Sequence, residues 1–359
     1  MQGVPPRIRR SQDPLPLLRA FPLLGFASLP IPSGVVAETQ IIFLLSMPRA
    51  GSTLLQRLLM GSGVCKTVGE PSFLLRLLGE GDPILRAATY SEALVETALE
   101  DIRNAWNGFD DCYRKGVHDL ATGIYDGLAD GAPFFIDKTP RYSLIAEKLI
   151  ETFPNAKFIV LWRHPLAVAN SMSTTFREGR WEPHSFELDL CYGMEGLKNL
   201  CEKHGPKVHQ VRYEDLAADP VKELASLGDY LGIENLSDVA GKDLEKGNNG
   251  QLGDPTGVKK YKKVSPDSIS EWEASIRNWY RERWVRRYFT GARAEFFKSL
   301  GYELPKRMID GTVPLGLIDG LRDWKYSRRI INRRLLRPLG SKRKLARQAK
   351  QRGYFVAYR

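Results

Sequence analysis

Short runs of consecutive apolar residues alternate along the chain with stretches in which apolar positions recur every three to four residues. The first run, "IIFLL" at residues 41–45, passes through a small-residue turn into "STLLQRLLM", so a buried strand followed by a helix is predicted there. "CKTVGE" predicts a second short strand ending at Glu70, helical patterns fill about residues 84–128, and "APFFIDKTP" predicts another buried strand running into a loop. Pro140 opens a helix through Glu151, "AKFIVLWR" carries the clearest strand pattern, and Pro165 sits at the first-turn position of the next helix. A helical stretch near 184–203 leads to a strand in "KVHQVRYEDL" and then to a helix from Pro220 to Leu231. Strands that alternate with helices predict an α/β fold with a parallel sheet covered on both faces. Functional groups are then expected at the C-terminal ends of the strands.

Residues 241–268, rich in Gly, Lys and Asp, have no apolar periodicity, and a loop of that length in a compact domain is functional or disordered. Helical spacing resumes in "ISEWEASIRNWYRERWVRRYF", and no internal repeat is present. With 359 residues and 43% hydrophobic content, one extended α/β domain is expected. The net charge of +11 is uneven: Leu321 to Arg359 holds fourteen Lys/Arg and one Asp, leaving the first 320 residues at about −2. The four cysteines, Cys65, Cys112, Cys191 and Cys201, include no C-x-x-C pair, which argues against a zinc site or a disulfide framework and fits a reducing, cytoplasmic compartment. Near the N-terminus, Pro14, Pro16, Pro22, Pro30, Pro32 and Arg19 interrupt the apolar stretch, so it predicts neither a membrane span nor a signal-peptide core. The expected organisation is a poorly ordered extension over 1–36, a domain over 37–305 and a basic, partly helical tail over 306–359.

The turn in "MPRAGST" has the composition of an anion-binding loop. Gly51 permits close backbone approach, the N–H groups opening the next helix face the loop, Ser52 and Thr53 add hydroxyls, and Arg49 adds a forked cation. A nucleoside-triphosphatase loop needs a lysine before the hydroxyl and a glycine before that; Gly51 and Ala50 stand there instead, which argues against triphosphate hydrolysis. In "FIVLWRHPLAVANSMSTTF", Arg163 ends a strand and Ser171 lies about two turns into the following helix, so both can face one pocket as a second anion site. A nucleotide with phosphates at two separate positions needs such a pair of sites.

On these residues the chain resembles the sulfotransferases that use 3′-phosphoadenosine 5′-phosphosulfate (PAPS), over about residues 40–300. In that family a P-[KR]-x-G-[ST]-T loop grips the 5′-phosphosulfate, and an Arg with a Ser eight residues later grips the 3′-phosphate. Here they correspond to Pro48, Arg49, Gly51, Ser52 and Thr53, then to Arg163 and Ser171. Ala50 and Leu54 fall within the same loop, and Tyr213 of "VRYEDL" matches a tyrosine that often contacts the cofactor, with a buried structural role equally open. The resemblance implies a P-loop-containing nucleotide-hydrolase-like three-layer fold with a central parallel sheet, PAPS as co-substrate and no metal. Arg49 and Leu54 depart from cytosolic enzymes of small phenols and steroids, which carry Lys and Trp there and tend to use a His base. The P-R-x-G-[ST]-T-L form is similar to tyrosylprotein sulfotransferases and bacterial relatives, whose Glu after the second strand corresponds to Glu70.

Physically, Glu70 at the end of that strand stands beside the loop, where a carboxylate can take the proton of an acceptor hydroxyl attacking sulfur. Its other reading is an acidic residue at the start of a helix opened by Pro71. Lys138 of "IDKTPRY" is expected at the same rim, stabilising charge on the leaving nucleotide together with Arg49. His118, His164 and His184 are alternative bases, and Lys262, with Lys259, Lys260 and Lys263, is a candidate phosphate ligand in a loop folding over the nucleotide. The basic tail reads as an amphipathic helix that covers the core, lies peripherally on an anionic membrane surface or attracts a polyanionic glycan, with a solvated helix equally open and nucleic acid a weaker partner. A P-loop kinase or ATPase shares the fold but lacks its lysine and an acidic residue after the "FIVLW" strand. The acceptor stays open among a glycan, a lipid or small-molecule hydroxyl, and a peptide tyrosine.

Overall fold

β1 (Gln40–Ser46) is buried on both faces from Ile41 onward, which is why it reads as an unbroken apolar run rather than an alternation. The structure, a computed structural model, describes residues 39–78, 92–241 and 271–328. The expected extension at 1–36 and the Lys-rich loop that holds Lys262 lie outside the described residues. β1 is the centre of a five-stranded parallel sheet ordered β2-β3-β1-β4-β5, with β2 at Cys65–Thr67, β3 at Phe134–Asp137, β4 at Lys157–Trp162 and β5 at Val208–Arg212. It pairs with β3 in the register Gln40 to Phe134 and with β4 in the register Ile42 to Lys157.

Alternate residues of β1 enter two separate cores, so the fold has three layers. Phe43 and Leu45 pack with Phe135, Phe158 and Val160 beneath α4 (Phe109–Ala129), α5 (Ala146–Thr152) and α6 (Pro165–Arg177). Ile42 and Leu44 pack with Ile136, Ile159 and Leu161 beneath α1 (Ser52–Met60) and α9 (Pro220–Leu231). Phe43 is the hub of the first core, with ring centroids 5.2 Å from Phe153 and 5.4 Å from Phe158. Truncating it to Ala would cost about 3–5 kcal/mol.

The expected strands and helices form, with local differences. β2 ends at Thr67, three residues short of Glu70. The helix expected from Pro140 to Glu151 is a 3₁₀ segment, Pro140–Leu144, followed by α5, because Ile145 leaves helical geometry at φ −125°. The stretch near 184–203 divides into a 3₁₀ turn at Pro183–Phe186, a π-helix at Leu188–Gly193 and α7 at Met194–His204.

The C-terminal segments close over the end of β4. Asn278 caps the helix Trp279–Tyr288 by accepting from the N–H groups of Tyr280 and Arg281. Its amide also donates to Asp323 at 2.9 Å, and Arg281 Nε donates to the same carboxylate oxygen at 2.7 Å. Residues 317–328 are helical, so this buried pair fastens the first part of the basic tail to the preceding helix. Chain reversal about β1 puts β2 and β3 on one side and β4 and β5 on the other. The carboxyl ends of β1, β3 and β4 therefore converge on one crevice.

Candidate active site

That crevice is an open cavity of about 840 Å³, lined by the loop after β1, the exits of β3 and β4, and one face of α6. The loop owes its shape to two left-handed residues, Arg49 at φ 69° and Gly51 at φ 101°. Gly51 is required twice over: besides its backbone conformation, an added Cβ would lie 2.7 Å from Cε2 of Tyr213. It stands at the N-cap of α1, so the opening N–H groups of that helix face the cavity beside Ser52 and Thr53.

Arg49 joins the two sequence motifs. Its Nε donates to Ser171 Oγ at 3.2 Å, and its carbonyl accepts from Arg163 Nη1 at 3.1 Å. Arg163 also lies 4.3 Å from the centroid of the Tyr213 ring, which is 1% exposed beneath Gly51. Tyr213 thus supports the loop from below and does not line the cavity, and Ala50 is likewise fully buried. Pro48, Arg49, Gly51, Ser52, Thr53, Leu54, Glu70 and Arg163 do line it.

Glu70 reaches the cavity although β2 stops before it, because the exit of β3 holds its segment at several points. Lys138 Nζ donates to Glu70 Oε1 at 2.7 Å. Thr139 Oγ1 accepts from Ser72 N at 3.2 Å, and the Tyr142 hydroxyl accepts from Leu74 N at 3.2 Å. Thr139 donates in turn to Asp137, which also accepts from Tyr125 at 2.6 Å. Burial pushes the Asp137 carboxyl up to about 6, while the hydrogen bonds from Tyr125 and Thr139 act in the opposite direction. Lys138 differs from the rim position expected of it: its side chain is 1% exposed and lies behind Glu70, outside the cavity lining. β3 sits between β1 and β2, so the residue leaving it starts under the β2 exit rather than at an open edge.

The histidines stand elsewhere. His164 caps α6, its Nδ1 accepting from Leu166 N, while Nε2 bonds the carbonyl of Glu303 and the ring stacks on Trp272 at 4.0 Å. Burial lowers its imidazole to about 4. His118 is stacked on Phe153, and His184 lines a different cavity.

The opposite wall was not visible as chemistry in the sequence. Met172, Thr175 and Phe176 come from the α6 face that continues from Arg163, a helical spacing that could have named them. Phe186 and Asp189 come from the 3₁₀ and π segments, where no regular period points inward. Asp189 is 3% exposed and pairs with Arg141 at 3.4 Å. Its burial raises the carboxyl above the ordinary aspartate value, with Arg141 working the other way. Among the described residues there is no His/Cys/Asp/Glu group arranged to hold a metal ion, all four cysteines are free thiols, and no helix is long and apolar enough to cross a membrane.

Nodulation protein NoeE of Sinorhizobium fredii (strain NBRC 101917 / NGR234) is 30% identical over 258 residues, which cover 66% of this chain and 60% of that protein. Protein-tyrosine sulfotransferase A of Caenorhabditis elegans is 23% identical over 270 residues, 72% of this chain and 67% of its own length. The chain thus spans about three fifths of the first relative and two thirds of the second. Among solved structures, the sulfotransferase domain from the Synechococcus PCC 7002 olefin synthase is 27% identical, with a TM-score of 0.48 over 74% of this chain and 96% of that one. The profile described as "Sulfotransferase family" matches residues 41–238, from the loop-bearing strand to beyond β5. More than half of the sequence is thereby accounted for, and the chain belongs to the sulfotransferase family.

Proposed function

We propose that this protein transfers the sulfuryl group of PAPS to a hydroxyl of an acceptor by in-line displacement, with Glu70 as the base. The observation that carries the reading is the placement of Glu70, held by a buried lysine, on the same cavity as the Arg49–Gly51 loop and Arg163. The residues fit the nucleotide: Gly51, whose left-handed turn a Cβ would block against Tyr213, sets the loop so that the opening N–H groups of α1 with Arg49 form an anion cradle. Arg163 on the lining supplies the second cradle that a 3′-phosphate requires, with Ser171, outside the lining, accepting from Arg49 beside it. Bound there, PAPS supplies an activated sulfuryl group on a phosphate leaving group.

Glu70 removes the acceptor proton as the oxygen attacks. Lys138 is a positioning residue in this scheme: it fixes the carboxylate through the 2.7 Å bond. Arg49 and the loop amides stabilise charge where it develops. The acceptor enters along the wall of Met172, Phe176, Phe186 and Asp189, opposite the loop.

Calorimetric titration with 3′-phosphoadenosine 5′-phosphate (PAP), in parallel with ATP and with an Arg163→Ala variant, tests the cofactor. Binding of PAP that the variant loses and ATP does not reproduce is expected. Equal binding of ATP, or no binding of PAP by the folded protein, would remove the basis for the proposal.

A further inference from the structure

The segment 183–193 has cavities on both of its sides. Phe186 and Asp189 face the crevice just described, while Glu187 and Cys191 line a second cavity of about 240 Å³. Its floor is aromatic, built by Tyr280, Trp284 and Tyr288 at helical spacing along Trp279–Tyr288. Trp284 and Tyr288 stack with centroids 4.8 Å apart and planes 15° from parallel, so the floor is rigid.

The arginines around this floor divide by the direction they face. Arg281 is paired with Asp323 and Arg286 with Glu282, and neither lines the cavity. Arg283 and Arg287 from the same helix, with Arg293 from the helix Gly291–Ser299, do line it. Among the described residues none of these three has a carboxylate within ion-pair distance. Arg283 and Arg287 stand four residues apart, a like-charge spacing that disfavours the helix. Arg293 is set 5.0 Å over the Tyr288 ring, which restricts the plane of its guanidinium. Among the described residues Glu187 is the one carboxylate on the lining, so the charges that the three arginines and Glu187 turn toward the cavity sum to a cationic site.

We infer that this cavity is a second anion site, which holds a phosphate or sulfate monoester group among Arg283, Arg287 and Arg293. Forked guanidinium donors match the oxygens of such a group, and its charge relieves the repulsion that the helix otherwise carries. The volume lies below the range of about 300–1,000 Å³ usual for small-molecule pockets, so the site takes an anionic group rather than a whole nucleotide. Sharing the 183–193 wall, an anion bound here also steadies the segment that carries Asp189.

The test is calorimetric titration of the full chain, saturated with PAP to block the first cavity, with inorganic phosphate and with glucose 6-phosphate. Binding by the parent protein is expected, and an Arg283→Ala/Arg287→Ala variant should bind at least about tenfold more weakly. Both substituted side chains are exposed, so the variant should keep the parent's thermal midpoint and its PAP affinity. If PAP does not bind, the titration is run without it on Arg163→Ala protein, so failure of the sulfotransferase reading does not decide this one. No binding by the parent, or equal affinity in parent and double variant, overturns the inference. Within a positive result, tighter binding of glucose 6-phosphate marks an ester carried on a larger molecule, and tighter binding of inorganic phosphate marks a free ion.

Discussion

Gly51→Ala tests the loop at its tightest point. The substitution meets two obstacles: a backbone at φ 101°, and Tyr213 Cε2 2.7 Å from the new Cβ. The left-handed conformation costs a residue with a Cβ about 1–2 kcal/mol. The overlap requires the ring to retreat by about 1 Å to reach ordinary carbon contact, and such overpacking costs about 1–3 kcal/mol. The ring has little room, because Arg163 stacks on it at 4.3 Å and donates to the Arg49 carbonyl, so its displacement moves both arginines that line the crevice. A total of about 2–5 kcal/mol must appear either as lost folding stability or as lost PAP affinity, the latter about 30-fold or more. Denaturant unfolding and PAP calorimetry together account for both routes. In a Tyr213→Ala background the overlap disappears and only the backbone part should remain, so the penalty of Gly51→Ala should shrink by about 1–3 kcal/mol. An identical penalty in both backgrounds would refute the argument that Tyr213 sets the space under the loop.

Glu70→Gln keeps an acceptor for the buried Lys138 ammonium but removes its counter-charge, so a stability loss of about 1–3 kcal/mol is expected with PAP affinity held, while kcat falls by about 10²–10⁴-fold in a sulfuryl-transfer assay; unchanged turnover would exclude Glu70 as the base. Asp323→Ala leaves Arg281 buried without its carboxylate, and a loss of about 3–5 kcal/mol is expected in chemical denaturation, with earlier proteolysis of the 315–328 segment. His164, lowered to about 4, stays neutral when folded while the unfolded chain takes up a proton below about 6.5, so its contribution to stability is lost as pH falls from about 6.5 to 4. Asp137, raised to about 6, acts with the opposite sign, adding stability as pH falls from about 6 to 4. His164→Gln should therefore gain on the parent by on the order of 3 kcal/mol between pH 7 and pH 4, and equal pH slopes in parent and variant would refute this.

The centre of the sheet was legible because β1, β3 and β4 are buried on both faces and so appear as uninterrupted apolar runs, with a proline or small-residue helix start after β1 and β4. The loop and Arg163 were legible because their residue types have few uses at the exit of a buried strand. What the sequence concealed is which side of the cavity surface a residue occupies. Lys138, expected at the rim, and Tyr213, expected to contact the cofactor or to be buried structurally, both lie behind the lining, since a strand pattern marks the rim without specifying what covers it. Asp189 escaped because a π-helix widens the turn and displaces side chains from the 3.6-residue period by which inward faces are recognised.

The clasp between the β3 exit and the Glu70 segment has a consequence for how such a chain can change length. Ser72 and Leu74 are pinned by Thr139 and Tyr142, while Phe134 is pinned in the sheet against Cys65 and Gln40. The excursion between these points starts and finishes on the same anchor, about sixty residues apart in sequence. Insertions or deletions between α2 (Phe73–Leu78) and α4 would add or remove chain without transmitting displacement to Glu70, because closing a longer loop costs only about 0.6 kcal/mol per doubling. Chain length can therefore vary between α2 and α4 while Glu70 keeps its place on the cavity.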